Sequence, residues 1–237
     1  MNCDHTHRRH AVRPLLLVSV LTLPLLGTSL GPVRAAPEGE RRPSAVMGWS
    51  GADWLERDGR DEEQRPEEIL RTMGLQDGDV VADIGCGTGY FSRRMARAVA
   101  PRGRVYAVDI QPEMLELLRK RVEDEGLTNV VPLHGENDDP KLPPGSIDWI
   151  LLVDVYHELQ QPKAMLAKMR GALRPDGKIA LVEYRLEGPS ALHILEDHRM
   201  SPKQVLSEWQ PAGYSLVGLH EFLPTQHLFI FEKTPDR

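Results

Sequence analysis

The chain has 237 residues, 41% hydrophobic and 27% charged, with a formal net charge of −6. That length supports one sizeable core and is small for two. The acidic balance argues against a nucleic-acid substrate, which needs a basic stripe to meet phosphate; of the two cysteines, Cys3 and Cys86, only Cys86 lies beyond residue 35, so no disulfide can form there.

At the N-terminus, Arg8, Arg9 and Arg13 precede an apolar run from Leu15 to Leu26, and Val33-Arg34-Ala35 resembles a signal-peptidase site before Ala36. Residues 1–35 read as a cleaved export signal, because Pro24 and Gly27 interrupt a run already shorter than the ~20 residues of a stable span. Cleavage removes four arginines and one aspartate and leaves a net charge of −9. The product is expected to be exported or periplasmic. An uncleaved membrane anchor and a cytoplasmic product starting near Met47 are the alternatives. Residues 36–47 read as a polar linker and residues 48–237 as one folded domain, with Trp49, Trp54 and Leu55 in a short possible helix that would cover a ligand. Pro66-Glu67-Glu68 suits a first helical turn and Gly74 the end of that helix.

The next stretch is the most informative. Val80 to Ile84 is a short apolar strand carrying Asp83, followed by Gly85-Cys86-Gly87-Thr88-Gly89 and a helix. A strand that turns sharply into a helix needs positive φ values, and glycine supplies them while leaving the backbone bare for a ligand. Twenty residues past Gly89, Asp109 closes a second apolar strand, Val105 to Val108, where a carboxylate can accept hydrogen bonds from ribose hydroxyls. The two features point to a nucleoside ligand. Cys86 reads as a small residue filling a tight loop.

This Asp-x-Gly-x-Gly-x-Gly pattern resembles the first motif of class I S-adenosylmethionine-dependent methyltransferases, and the resemblance runs over roughly residues 48–233. The Gly-x-Gly-x-x-Gly spacing of NAD-dependent oxidoreductases is not matched. By that resemblance Gly85, Cys86, Gly87 and Gly89 contact the donor's methionine part, Asp83 orients its amino group, Asp109 holds the ribose and Ile110 packs on adenine. Glu136 or Asn137 would reach the adenine amino group, in a loop, Gly135 to Pro140, that departs from the family's usual pattern.

Downstream, Phe91, Met95 and Val99 recur at helical spacing and face the sheet, while Arg93, Arg94 and Arg97 face water. Pro112 starts a helix with the stripe Leu115, Leu118 and Val122, and Gly126 ends it. Strands at Val130–Leu133 and Ser146–Val153, a helix at Pro162–Leu173 and a strand at Lys178–Tyr184 follow, the last preceded by the turn Pro175-Asp176-Gly177. Ser201 caps a helix running to Trp209, and two strands, Ser215–Phe222 and His227–Glu232, close the chain. Such alternation predicts an α/β, Rossmann-like sheet, mostly parallel, with helices on both faces. The resemblance sets it at seven strands, one of them antiparallel near the C-terminus.

Asp154-Val155-Tyr156-His157-Glu158 ends the fourth strand, beside the point where the methyl group emerges. His157, Asp154 and Tyr156 are the catalytic candidates: His157 is suited to take a proton from a hydroxyl or amine, with Asp154 or Glu158 orienting it. Asp154 also borders the donor. Glu183-Tyr184-Arg185, His193, His198, Arg199 and Met200 fall where acceptor-recognition segments are inserted. Histidines past the signal are scattered along the chain, so no metal site is expected. The whole pattern is similar to a bacterial group of small methyltransferases, distantly like those of quinone biosynthesis. It implies in-line methyl transfer from S-adenosylmethionine to a small-molecule acceptor; oligomeric state is not readable. A non-catalytic nucleoside-binding protein is the alternative, and an NAD-dependent oxidoreductase a weaker one. An exported enzyme would work where its donor is not made, which either folding around the donor before twin-arginine export or a start near Met47 would resolve.

Overall fold

The computed structural model describes residues 43–235. The export-signal and anchor expectations therefore fall outside the described residues. Among those residues, no helix is long and apolar enough to cross a membrane.

A 3-10 turn, Trp49–Glu56, leads into two short helices, α1 (Arg60–Gln64) and α2 (Pro66–Met73). Then β1 (Val80–Ile84), α3 (Tyr90–Ala98), β2 (Arg104–Asp109), α4 (Pro112–Asp124), β3 (Val130–His134) and β4 (Ile147–Val153) alternate. After a 3-10 turn at Tyr156–Glu158 come α5 (Pro162–Ala172) and β5 (Leu173–Arg185). The chain closes with β6 (Arg199–Met200), α6 (Pro202–Trp209), β7 (Tyr214–His220) and β8 (Gln226–Lys233).

The helix ends follow their sequence signals. Pro66, Pro112, Pro162 and Pro202 each occupy a first-turn position, where a missing N–H costs nothing. Gly74 terminates α2 with a φ of 69°. Ser201 caps α6 by accepting a hydrogen bond from the Gln204 N–H at 3.1 Å.

The sheet runs β3-β2-β1-β4-β5-β8-β7, with β6 paired to the end of β5. Pairing is parallel from β3 through β5; β8 is antiparallel to both neighbours, so seven long strands include one antiparallel member. The two-residue β6 is an eighth strand that sequence did not indicate. Residues Pro175-Asp176-Gly177 form an outward bulge within β5, because the pairing with β4 jumps from Leu173 to Lys178 across only two β4 residues. Ile150, Leu151 and Leu152 are fully buried, as expected for a central strand covered on both faces. One face packs α5 and α6 residues such as Leu166, Met169 and Trp209; the other packs Ile69, Phe91 and Met95 from α2 and α3.

Strand order reverses between β1 and β4, and the carboxyl ends there open a crevice in which ligands bind in sheets of this kind. Asp83, Asp109, Asp154 and Glu183 all lie at those ends.

Candidate active site

A cavity of about 330 Å³ opens at this crevice, within the size range of small-molecule sites. Gly85, Cys86, Gly87, Asp83, Asp109, Ile110, Glu136, Asn137, Asp154 and His157 all line it. Gly89 and Tyr156 do not.

The glycine loop owes its shape to packing as much as to ligand approach. A Cβ on Gly85 would sit 2.4 Å from Val155, and one on Gly87 would sit 2.6 Å from Leu55; both glycines have positive φ. Gly89 turns away: its Cβ would strike Leu118 of α4 at 2.2 Å, so its bareness serves the junction of α3 and α4. Asp109 is 6% exposed and accepts from the Gly87 N–H and the Gln111 N–H, each at 2.9 Å. Its carboxylate thus ties the tip of β2 to the loop and keeps further lone pairs for hydroxyl donors. Burial raises the Asp109 pKa, against the two backbone bonds. Asp83 is buried and accepts from the Ser92 hydroxyl at 2.5 Å; burial pushes its pKa up to about 6. Cys86 is buried and its thiol is pushed well up by burial, which leaves it protonated and unreactive.

The segment before the domain is part of the site. Residues 44–47, expected at the end of a linker, are bonded to it: the Ser44 N–H donates to the His157 carbonyl at 3.1 Å and the Met47 N–H to Glu158 Oε1 at 3.2 Å. Gln111 accepts from the Trp49 N–H and donates to the Met47 carbonyl. Trp54 and Leu55 line the cavity, as a cover should. That cover is held by the arginines expected to face water. Arg93 pairs with Glu56 at 2.8 Å and with Glu125, and Arg94 pairs with Asp61 at 2.7 Å; only Arg97 is half exposed. Glu56 and Asp61 upstream and Glu125 downstream claim them, and periodicity alone could not reveal such partners.

Arg60 was not singled out from sequence. It is 7% exposed, lies 3.9 Å over the Tyr90 ring and donates to Gln64 Oε1 at 2.8 Å. No carboxylate of the described residues lies within ion-pairing distance, and burial lowers its pKa. A buried guanidinium facing a cavity without a counter-ion is a strong invitation to an anionic ligand group.

At the far end, Asp154 has a φ of 53°, strained for a non-glycine residue. Gln64 and Gln226 hold its carboxylate at 2.7 and 2.8 Å, and burial, then the Glu183 charge, raises its pKa to about 7. His157 is 2% exposed. Its orienting partner is neither Asp154 nor Glu158 but the fully buried Glu183, which accepts from Nδ1 at 2.6 Å and from the His157 N–H at 3.2 Å. Burial alone would lower the His157 pKa; the Glu183 charge and bond outweigh it, and the net shift is upward. Tyr156 is corrected outright. Its side chain is fully buried against Trp209 and its hydroxyl donates to Glu208 at 2.7 Å, outside the cavity. His198 joins the cavity wall, its ring 4.9 Å from that of His157. Two of the histidines meet in space: ligand atoms of His157, Glu158 and His198 lie within 4.8 Å of one another. His193 and Arg199 do not line the cavity.

Residues 81–177 match a family model described as a methyltransferase domain. The chain superposes on a SAM-dependent methyltransferase from Aquifex aeolicus with a TM-score of 0.73 and 26% identity, covering 78% of this chain and 98% of that one. The chain carries a class I S-adenosylmethionine-dependent methyltransferase domain. Demethylmenaquinone methyltransferases from Geobacillus sp. (strain WCH70) and Geobacillus kaustophilus (strain HTA426) are 27% and 29% identical over 117 residues, 49% of this chain and 50% of theirs. The chain thus spans about half the length of the curated relatives it matches. The [4+2]-cyclase SpnF shares the fold alone, with a TM-score of 0.65 and 14% identity over 76% of this chain and 86% of that one. S-adenosylmethionine is the cofactor of the domain, and the residues around the cavity fit it: a buried cation for its carboxylate, acids for its ammonium and ribose, and the exposed Ile110 for its base.

Proposed function

We propose that this protein transfers the methyl group of S-adenosylmethionine to a small-molecule acceptor that enters between His157, Glu158, Ile194 and His198. The observation that carries the reading is one cavity with a nucleoside-type end and a polar, histidine-bearing end. Gly85, Cys86 and Gly87 border the donor's methionine part, Asp83 takes its ammonium and Arg60 its carboxylate. Asp109 accepts from the ribose, Ile110 packs on adenine, and Glu136 or Asn137 meets the adenine edge.

When bound, the sulfonium donor supplies a methyl group already activated toward nucleophiles. The protein's own task is to align the acceptor and exclude water, and alignment alone is worth roughly 7–11 kcal/mol. His157, fixed by Glu183, faces the reacting atom of the acceptor, and Asp154 borders both ligands. The cover, Val46 to Leu55, closes the donor end. Half of each demethylmenaquinone methyltransferase lies outside the match, so their acceptor is not carried over.

The test is calorimetry with S-adenosylmethionine and S-adenosylhomocysteine, then mass spectrometry of small-molecule extracts incubated with methyl-labelled donor. Micromolar donor binding and label in a small molecule are expected. Binding without any labelled product would reduce the protein to a nucleoside-binding one, and NAD binding in place of the donor would make it an oxidoreductase.

A further inference from the structure

We propose that His157, Glu158 and His198 hold a divalent first-row transition ion, with Zn²⁺ the best match, at the acceptor end of the cavity. The inference rests on the methyl-transfer reading above for its purpose, though not for its geometry. The three side chains come from two separate turns, Tyr156–Glu158 and Glu196–His198, and their ligand atoms converge to within 4.8 Å of one another. Donor atoms around one tetrahedral zinc ion, each about 2.0–2.2 Å from it, are separated by roughly 3.3–3.6 Å. Up to roughly 1.2–1.5 Å of closure brings them to that spacing, and His198, on a short turn with 28% of its side chain exposed, can supply it by a side-chain rotation.

Two features distinguish this trio from an incidental cluster. The first is support behind the ligand: Glu183, fully buried, receives the Nδ1–H of His157 at 2.6 Å and presents the other ring nitrogen in one tautomer and one orientation. That carboxylate–histidine pairing is what metal-ligating histidines ordinarily have. The second is ligand chemistry. Two imidazoles and a carboxylate suit zinc or iron, and three protein ligands leave open positions, the pattern of sites that act on a substrate. All three residues also line the cavity, so an open position would face an incoming acceptor.

The ion would select an acceptor that offers an oxygen, such as a phenolic or enolic hydroxyl. Its charge favours loss of the hydroxyl proton to water at the cavity mouth; the oxygen then forms the new O–C bond as the S–C bond breaks and its electron pair stays on sulfur. An imidazole that ligates the ion does not also take that proton, so the proton-acceptor role expected of His157 passes to solvent.

The experiment uses the metal-free full chain, titrated with Zn²⁺ by calorimetry and with Co²⁺ by visible absorption. One ion per chain in the micromolar range or tighter is expected, with a d–d band of four- or five-coordinate cobalt. His198→Ala and Glu158→Gln should each weaken binding at least tenfold. His193→Ala, at an exposed histidine outside the cluster, should bind as the parent does. S-adenosylhomocysteine binding by every variant reports that the fold and donor end are intact. Equal Zn²⁺ affinity in His198→Ala and the parent, or no stoichiometric binding at all, overturns the metal site; methyl transfer persisting in that metal-free protein would leave the proposed function standing without it.

Discussion

Asp109 and Asp154 stand at the carboxyl ends of two strands that flank β1, yet they are held in opposite ways. Asp109 is bonded by two backbone N–H groups, one from the glycine loop itself, so its position follows from the course of β1 and β2. Asp154 is bonded by the side-chain amides of Gln64 and Gln226, ninety and seventy-two residues away. The glycine-loop end of the cavity, proposed above for the donor, is thus a local product of a strand pair and its turns. The histidine end, proposed above for the acceptor, is an assembly of distant segments, with Glu183 from β5, His198 from a late turn and Ser44 from before the domain meeting at His157. A local construction tolerates variation elsewhere in the chain; an assembled one can change its acceptor by altering any contributor.

The sharpest way to break this contrast is to fill the loop. Gly85→Ala places a methyl group where Val155 already stands, on a backbone with φ of 71°. Donor binding should fall at least a hundredfold by calorimetry, while Gly89→Ala, which meets Leu118 instead, should lower the melting temperature first. Equal losses of donor affinity in both would mean that the loop acts as one rigid unit. Next in size is Asp109→Ala. It removes the anchor of the Gly87 N–H together with the ribose acceptor, and charge-assisted bonds are worth about 1.5–3 kcal/mol each. A loss of donor affinity of tenfold or more is expected; unchanged affinity would remove Asp109 from the donor site.

The residues that line the glycine-loop end of the cavity were legible because the pattern is contiguous. Asp83 to Gly89 lie in one run, Asp109 follows at a fixed offset, and periodicity located nearly every strand and helix. Arg60 and Glu183 were harder for a physical reason. Each is an ordinary charged residue until folding buries it, and burial is a property of the tertiary structure. Glu183 stands out in the sequence only as part of an acceptor-side segment, and Gln226 carries no role there, since an amide acquires meaning only when a carboxylate arrives opposite it. Tyr156 failed for the converse reason. Its neighbours in sequence face the cavity, but the 3-10 turn Tyr156–Glu158 rotates its ring into the core against Trp209. Arg93 and Arg94 lie on the helix face opposite Met95 as read, and what covers them is the incoming chain.

The acceptor end makes a smaller, separable prediction. Glu183→Gln keeps a hydrogen-bonding group behind His157 but removes the charge, so Glu183 acts as a positioning residue. Methyl transfer should slow by about tenfold to a hundredfold, with donor affinity unchanged. In metal-free protein the His157 imidazole, followed by NMR, should titrate at lower pH than in the parent, because the carboxylate that raises it is gone. A merely structural role would not move that titration. If donor affinity fell as well, the two ends would not be independent.

The smallest effect expected is the pH dependence carried by Asp83, whose sign can be worked out. Burial raises its pKa from the ordinary carboxylate value to about 6 in the folded protein. The folded state therefore holds this proton more tightly than the unfolded chain, so the group's contribution to stability is complete below about pH 4 and is lost as pH rises through about 6. A shift of about two units corresponds to roughly 3 kcal/mol as an upper bound. Donor binding has the opposite slope, because an ammonium group beside Asp83 favours the ionised form, and affinity should rise severalfold between pH 5 and pH 7. Asp83→Asn keeps an acceptor for the Ser92 hydroxyl and removes the titration. It should flatten both slopes: the ligand-free melting temperature relative to parent should increase toward pH 8, and the donor affinity should stop responding to pH in this window. A variant whose donor affinity keeps the parent's pH slope would assign that slope to another group, with Asp154 and Glu158, both raised to about 7, next in line.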